Sequence, residues 1–223
     1  MPLLVEYYDE LPSDDEVSVG TARLRRGMEA FKRKVRARYT EGTLQRLLQS
    51  PENKIRQAAI MALGLTGSMA VNAEVAACLH DSDGEVRRVS ADALWSIWFR
   101  AAGESPRRQL QRLTRLAPEK SLPALDQMIE QLPDFAEAFN QRAIAYFRVG
   151  QYVKSITDCE KVIALNPHHF GAQAGMGQCL LKLRKPRLAL KAFRDALRIN
   201  PQLEGVVDTI RTLEDLLGEE RGL

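Results

Sequence analysis

The sequence predicts an all-α protein, a right-handed α-solenoid of helical hairpins arranged as two arrays. Three observations carry this reading. Residues 44–67 repeat at an offset of 31, so that Ile55-Arg56 matches Val86-Arg87 and Ala62-Leu63 matches Ala93-Leu94. Residues 136–167 repeat at an offset of 34 as residues 170–201, each unit ending in Asn-Pro. Between turns, apolar residues recur at the three- and four-residue spacing of a helix rather than the alternation of a strand.

The chain has 223 residues, of which 45% are hydrophobic and 27% charged. That is enough apolar surface to bury a core and too much for a broadly disordered chain. The start, "MPLLVEYYDELPSDDE", carries six acids and no Lys or Arg over residues 1–16. It lacks the basic start and apolar run of a signal peptide. Residues 1–19 are expected to be an acidic, poorly ordered segment.

Residues 17–39 then carry eight basic residues against the single acid Glu29. Leu24, Met28, Phe31 and Val35 form one apolar stripe on a helix, and Arg25, Arg26, Lys32, Arg33, Lys34 and Arg36 lie around it. The stripe can cap the first repeat, with acidic residues 6–16 folded over the helix as a screen. Alternatively the basic side chains of residues 23–38 contact phosphates of nucleic acid.

Each 31-residue unit reads as a short apolar helix, a polar turn and a second helix entered through an apolar-Arg pair. "DSDG", Asp81–Gly84, opens like a calcium loop, but the sixth position is Val86 and the twelfth Asp92, where such a loop needs Gly and Glu. It occupies the turn that Ser50-Pro-Glu-Asn fills one repeat earlier, so it reads as a turn whose Asp or Ser caps the next helix. These units resemble the short bacterial form of the HEAT-like repeat over about 41–101. With the basic capping helix they make a segment from 20 to 101. Trp95 and Trp98 fall three apart on the second helix and read as core that seals the next junction.

"AAGESPRR", Ala101–Arg108, is the best domain boundary, and 102–119 is expected to hold a junction helix. From 120 onward "SLPALDQMIEQ" reads as half a unit. In the two full units small residues (Ala143, Gly177, Ser155, Ala189) mark close helix contacts, and Gly150, Pro167 and Pro201 mark turns. This spacing resembles the tetratricopeptide repeat. Three positions depart from it: Arg142 replaces the usual Leu, Arg184 the turn Gly and Pro186 the Tyr-like residue, which makes the second turn irregular. In "LEGVVDTIRTLEDLLG", Val206, Ile210, Leu213 and Leu217 form the stripe of a terminal helix, so the tetratricopeptide-like segment is taken as 120–223.

No HExxH, CxxC, phosphate-binding Gly loop or GxSxG occurs. The histidines are His80, which precedes a turn, and His168-His169 after Pro167, read as a solvated loop. Cys78, Cys159 and Cys179 sit among apolar residues and read as reduced and buried. Short HEAT-like repeats also occur in bilin lyases and DNA-alkylation repair enzymes, but no active-site motif of either is present. The expectation is a non-catalytic protein with no cofactor and no metal, without a membrane span, in the cytoplasm.

The tetratricopeptide resemblance implies a concave groove that binds a peptide or helical segment of another protein. By position in the repeat its residues are Glu137, Asn140, Ile144, Phe147 and Arg148, then Ala174, Gln178, Leu181 and Lys182. Gln178 stands where the carboxylate-clamp subtype has a second Asn, so the groove reads as mixed. Phe147 and Leu181 are its apolar anchors, and Arg148 and Lys182 read charge.

Overall fold

The computed structural model describes residues 3–11 and 21–219. They divide between Ile97 and Trp98 into two compact units, each built of stacked helical hairpins. The division falls inside a helix, before the Ala101–Arg108 stretch that the sequence favours. Trp98, the first residue of the second unit, is buried there against His169 and Phe170.

The first unit opens with α1 (Leu3–Asp9), where the sequence reading has a poorly ordered segment. The correction has a simple physical basis. Leu4 and Val5 are fully buried, and α1 packs against α2 (Thr21–Arg38) and α4 (Asn53–Thr66). Residues 12–19 of the expected acidic segment lie outside the described residues.

α3 (Glu41–Leu47) starts at Thr40, whose hydroxyl accepts from the Thr43 amide at 3.2 Å. It packs on α4. α5 (Asn72–Ala77) and α6 (Gly84–Arg100) are the corresponding helices of the next repeat. Gly64 of α4 passes so close to α6 that a Cβ there would lie 2.9 Å from Ala93 Cα. Only a glycine permits that approach.

The inter-helix turns are held by arginine. Arg56 Nη1 donates to the carbonyls of Ser50 and Pro51 at 2.9 and 3.1 Å. One repeat later Arg87 Nη1 donates to those of Asp81 and Ser82 at 2.7 and 3.1 Å. The apolar-Arg pair seen in the sequence is therefore a turn staple. Asp81 is gripped by Arg56 Nε and Nη2, both at 2.8 Å. Asp83 caps α6 by accepting from the Val86 amide at 2.9 Å, and it also accepts from Asn53 and Gln57. The carboxylates of "DSDG" are thus committed to protein donors.

The second unit contains α7 (Glu104–Leu113), α8 (Pro118–Gln131), α9 (Ala136–Arg148), α10 (Tyr152–Leu165), α11 (Phe170–Lys182), α12 (Pro186–Ile199) and α13 (Glu204–Glu219). From α8 onward each helix packs on the next. Gly177 of α11 faces the Phe193 ring of α12, which a Cβ would meet at 2.6 Å. Leu213 and Leu217 of α13 close the far end against Leu180 and Phe193.

The two Asn-Pro sites have a shared mechanism. Asn166 and Asn200 are buried, and their side-chain oxygens accept from the amides of His168 and Gln202 at 3.2 and 3.0 Å. That bond turns the chain while Pro refuses a further helical turn. Gly150 opens the α9–α10 turn at φ 75°, and Arg184 takes the same left-handed region at φ 55° in the α11–α12 turn. The turn missing its glycine is therefore made in the same conformation, with an arginine carrying the strain.

Candidate peptide groove

α9 and α11 pack side by side. Their equivalent positions 34 residues apart bring Ile144 into register with Gln178, Phe147 with Leu181, and Arg148 with Lys182. Ile144 is 38% exposed, a large value for an apolar side chain inside a helix. Phe147 and Leu181 are half-buried, Gln178, Arg148 and Lys182 are exposed, and Ala174 is half-buried. Phe147 is held against Tyr152 at a ring separation of 5.5 Å.

Glu137 and Asn140 do not belong to this surface, which corrects the groove expected from the sequence. Their residual exposures are 1% and 4%. Glu137 Oε1 accepts from Asn140 Nδ2 at 2.9 Å and Gln141 Nε2 at 2.6 Å. Its Oε2 lies 3.1 Å from His169 Nε2. His169 is fully buried rather than solvated, caps α11 by accepting the Ala172 amide at Nδ1 (3.0 Å), and stacks on Trp98 at 4.2 Å. Because Nδ1 accepts, the ring proton sits on Nε2 and is donated to Glu137. A buried carboxylate survives here because every oxygen has a donor.

Arg142 ties three helices together. It donates to both oxygens of Asp158 on α10 and, through Nη1 at 2.8 Å, to Asp126 on α8. The Asp158 hydrogen bonds outweigh burial and raise the guanidinium above its ordinary value, with Asp126 adding to them. The residue that departs from the repeat pattern is thus a polar replacement for an apolar contact, behind the groove rather than in it.

The sequence reading missed a second concavity. A cleft of about 490 Å³ lies between α10 and α12 over α11, with walls that include Ile156, Ile163, Met176 and Leu188. It shares no residue with the nine of the expected groove. Leu188 is 53% exposed. Its signal in the sequence is a Leu at the register position where the preceding repeat has Lys154.

On α2, Phe31 and Val35 are buried while Arg25, Arg26, Arg33 and Arg36 are exposed and Lys32 is half-buried. Lys34 is paired with Glu10 and sits over the Tyr7 ring at 4.7 Å. Lys54 of α4 reaches Asp9 at 3.5 Å. The apolar stripe therefore faces the unit's interior, and acidic residues next to it engage part of the basic surface.

The cysteines are free and buried. Burial pushes the Cys78 thiol up to about 11 and the Cys159 thiol up to about 12, and raises Cys179 as well. Among the described residues no helix is long and apolar enough to cross a membrane.

Comparison with known proteins places these arrays in two repeat families. A model described as HEAT repeats matches residues 40–134, and two described as tetratricopeptide repeats match 136–169 and 171–203. The HEAT match runs on through α7 and α8, where the sequence reading starts a tetratricopeptide half-unit at 120. A TPR repeat-containing protein of Rhizobium etli is 35% identical over 116 residues, which is 50% of this chain and 57% of that protein. The SGT1 homolog of Homo sapiens is 29% identical over 83 residues, 37% of this chain and 23% of that protein. The chain thus spans about half, or less, of the length of these relatives. A solved structure, the first TPR of Spaghetti (RPAP3) bound to an HSP90 peptide, is 22% identical with a TM-score of 0.44, covering 45% of this chain and 80% of that one.

Proposed function

We propose that this chain, which carries HEAT repeats followed by two tetratricopeptide repeats, is a non-catalytic scaffold that captures a peptide or helix of a partner protein on the outward faces of α9 and α11. The observation that carries the reading is the exposed Ile144, with Phe147 and Leu181 beside it, left uncovered between two helices in register. Concave surfaces of this kind are what stacked repeats present to extended ligands. Phe147 and Leu181 are the apolar anchors. Arg148 and Lys182, at the same end of each helix, favour a segment with a carboxylate beside its apolar residues.

Affinity capture with the intact chain and a Phe147→Ala/Leu181→Ala variant, with and without nuclease, tests this. A protein that survives nuclease and is lost from the variant supports the groove. Release of every partner by nuclease would move the activity to the basic α2.

A further inference from the structure

The outer face of α7 has no role in the groove. Leu110 and Leu113 turn inward and pack with Leu125, Met128 and Phe135. Ser105, Arg108, Gln111, Arg112 and Arg115 are all exposed on the other side, where they line a shallow depression. Arg107 and Arg108 both pair with Glu104, at 3.0 and 3.7 Å. Arg112 and Arg115 have no ion pair among the described residues. Arg108 and Arg112 stand one turn apart on α7, and Arg115 follows in the turn just after it, lining the same depression.

We propose that this face docks an acidic helical segment of a partner protein, whose carboxylates meet Arg108, Arg112 and Arg115. The argument is charge complementarity with matched spacing. A helix carrying Glu or Asp four residues apart presents its carboxylates at the pitch of Arg108 and Arg112, and a further acid three residues on meets Arg115 in the turn. Each planar guanidinium can take one of them through two parallel N–H bonds, which an ammonium cannot do.

Other anionic surfaces fit less well. Affinity for nucleic acid grows with the number of phosphates neutralised, whereas this patch offers three cations, with Ser105 and Gln111 in place of aromatic rings for base stacking. A membrane-surface helix needs an apolar face free to enter the lipid, and the apolar face of α7 is already in the core. The docking face shares no residue with the groove and does not depend on it.

The test uses the full chain and two probes read by fluorescence anisotropy: a labelled Ala-rich helical peptide with glutamates at alternating three- and four-residue spacing, and a labelled single-stranded oligonucleotide of equal charge. The Arg108→Gln/Arg112→Gln/Arg115→Gln variant should bind the peptide roughly tenfold more weakly, the sum of three exposed charge pairs. The corresponding triple Lys variant should fall between the two. The Phe147→Ala/Leu181→Ala variant should bind the peptide like the intact chain, so a failed groove and a failed arginine face give different results. The two arginine variants keep the helical circular dichroism of the intact chain, because Arg108, Arg112 and Arg115 are exposed. Peptide affinity that is absent in the intact chain or unchanged in the Gln variant would overturn the proposal. So would tighter binding of the oligonucleotide, lost through the same three arginines.

Discussion

Arg142 holds Asp158 through two parallel bonds, Nε to Oδ2 at 2.8 Å and Nη2 to Oδ1 at 2.7 Å. The Asp158 side chain is only 5% exposed. Removing the arginine leaves a buried carboxylate without its main donor. Arg142→Leu should therefore destabilise the second unit by about 3 kcal/mol, although it restores the residue usual at this position. Arg142→Leu/Asp158→Ala should lose less than the sum of the two single changes, by roughly 1–3 kcal/mol. Urea denaturation of the four proteins completes the cycle.

The two close glycine contacts make opposite demands from an open one. At Gly177 a new Cβ would lie 2.6 Å from the Phe193 ring, and at Gly64 it would lie 2.9 Å from the Ala93 backbone. Each Gly→Ala change should cost about 1–3 kcal/mol through overpacking. Gly205 lies in α13 with nothing within 4 Å of the added atom. Gly205→Ala should stabilise by up to about 1 kcal/mol through helix propensity alone. Thermal melts of the three variants distinguish these signs.

Arg184 offers a simple stabilisation. Its φ of 55° lies where a Cβ is strained and glycine is not. Arg184→Gly should gain about 1 kcal/mol, the cost of left-handed backbone for an L side chain. The gain should appear in the denaturation midpoint with no change in groove binding.

Acid should weaken the first unit through its turn carboxylates. Burial alone would raise the Asp81 carboxyl, but the Arg56 hydrogen bonds and the Asp83 amide hold it below its ordinary value. Asn53 and the Val86 amide, with Gln57, do the same for Asp83. Because both are depressed in the folded protein, their contribution is complete above the unfolded carboxylate value near about 4 and is lost as pH falls through the folded values. Asp81→Asn should flatten the stability profile below about pH 4 and lower the plateau above it. Denaturation midpoints measured from pH 6 downward show both effects.

The repeats were legible because their physics is local and periodic. Small residues at Ala143 and Gly177, the Asn-Pro pairs and the apolar-Arg pairs recur at fixed intervals, and each marks a contact within or between adjacent hairpins. Glu137 was misread for the converse reason. Its burial depends on His169, 32 residues away, and on Asn140 and Gln141 beside it. No periodic signal announces such a pairing, and a charged residue at a groove position reads as exposed. α1 was hidden similarly. Leu4 and Val5 stand in an acidic stretch and become core only once α2 and α4 are in place. The α10–α12 cleft had one visible trace, an exposed Leu188 where a periodic reading of the core assigns it no partner.

The central claim is that the outward faces of α9 and α11 bind the partner. The most direct test takes the minimal peptide of a captured partner and titrates it calorimetrically into the intact chain, Phe147→Ala/Leu181→Ala, and a Leu188→Ser cleft variant. Loss of two apolar anchors should weaken binding roughly thirtyfold or more, while Leu188→Ser leaves it unchanged. Unchanged affinity in the double variant, or a loss confined to Leu188→Ser, would contradict the groove and place the working surface between α10 and α12.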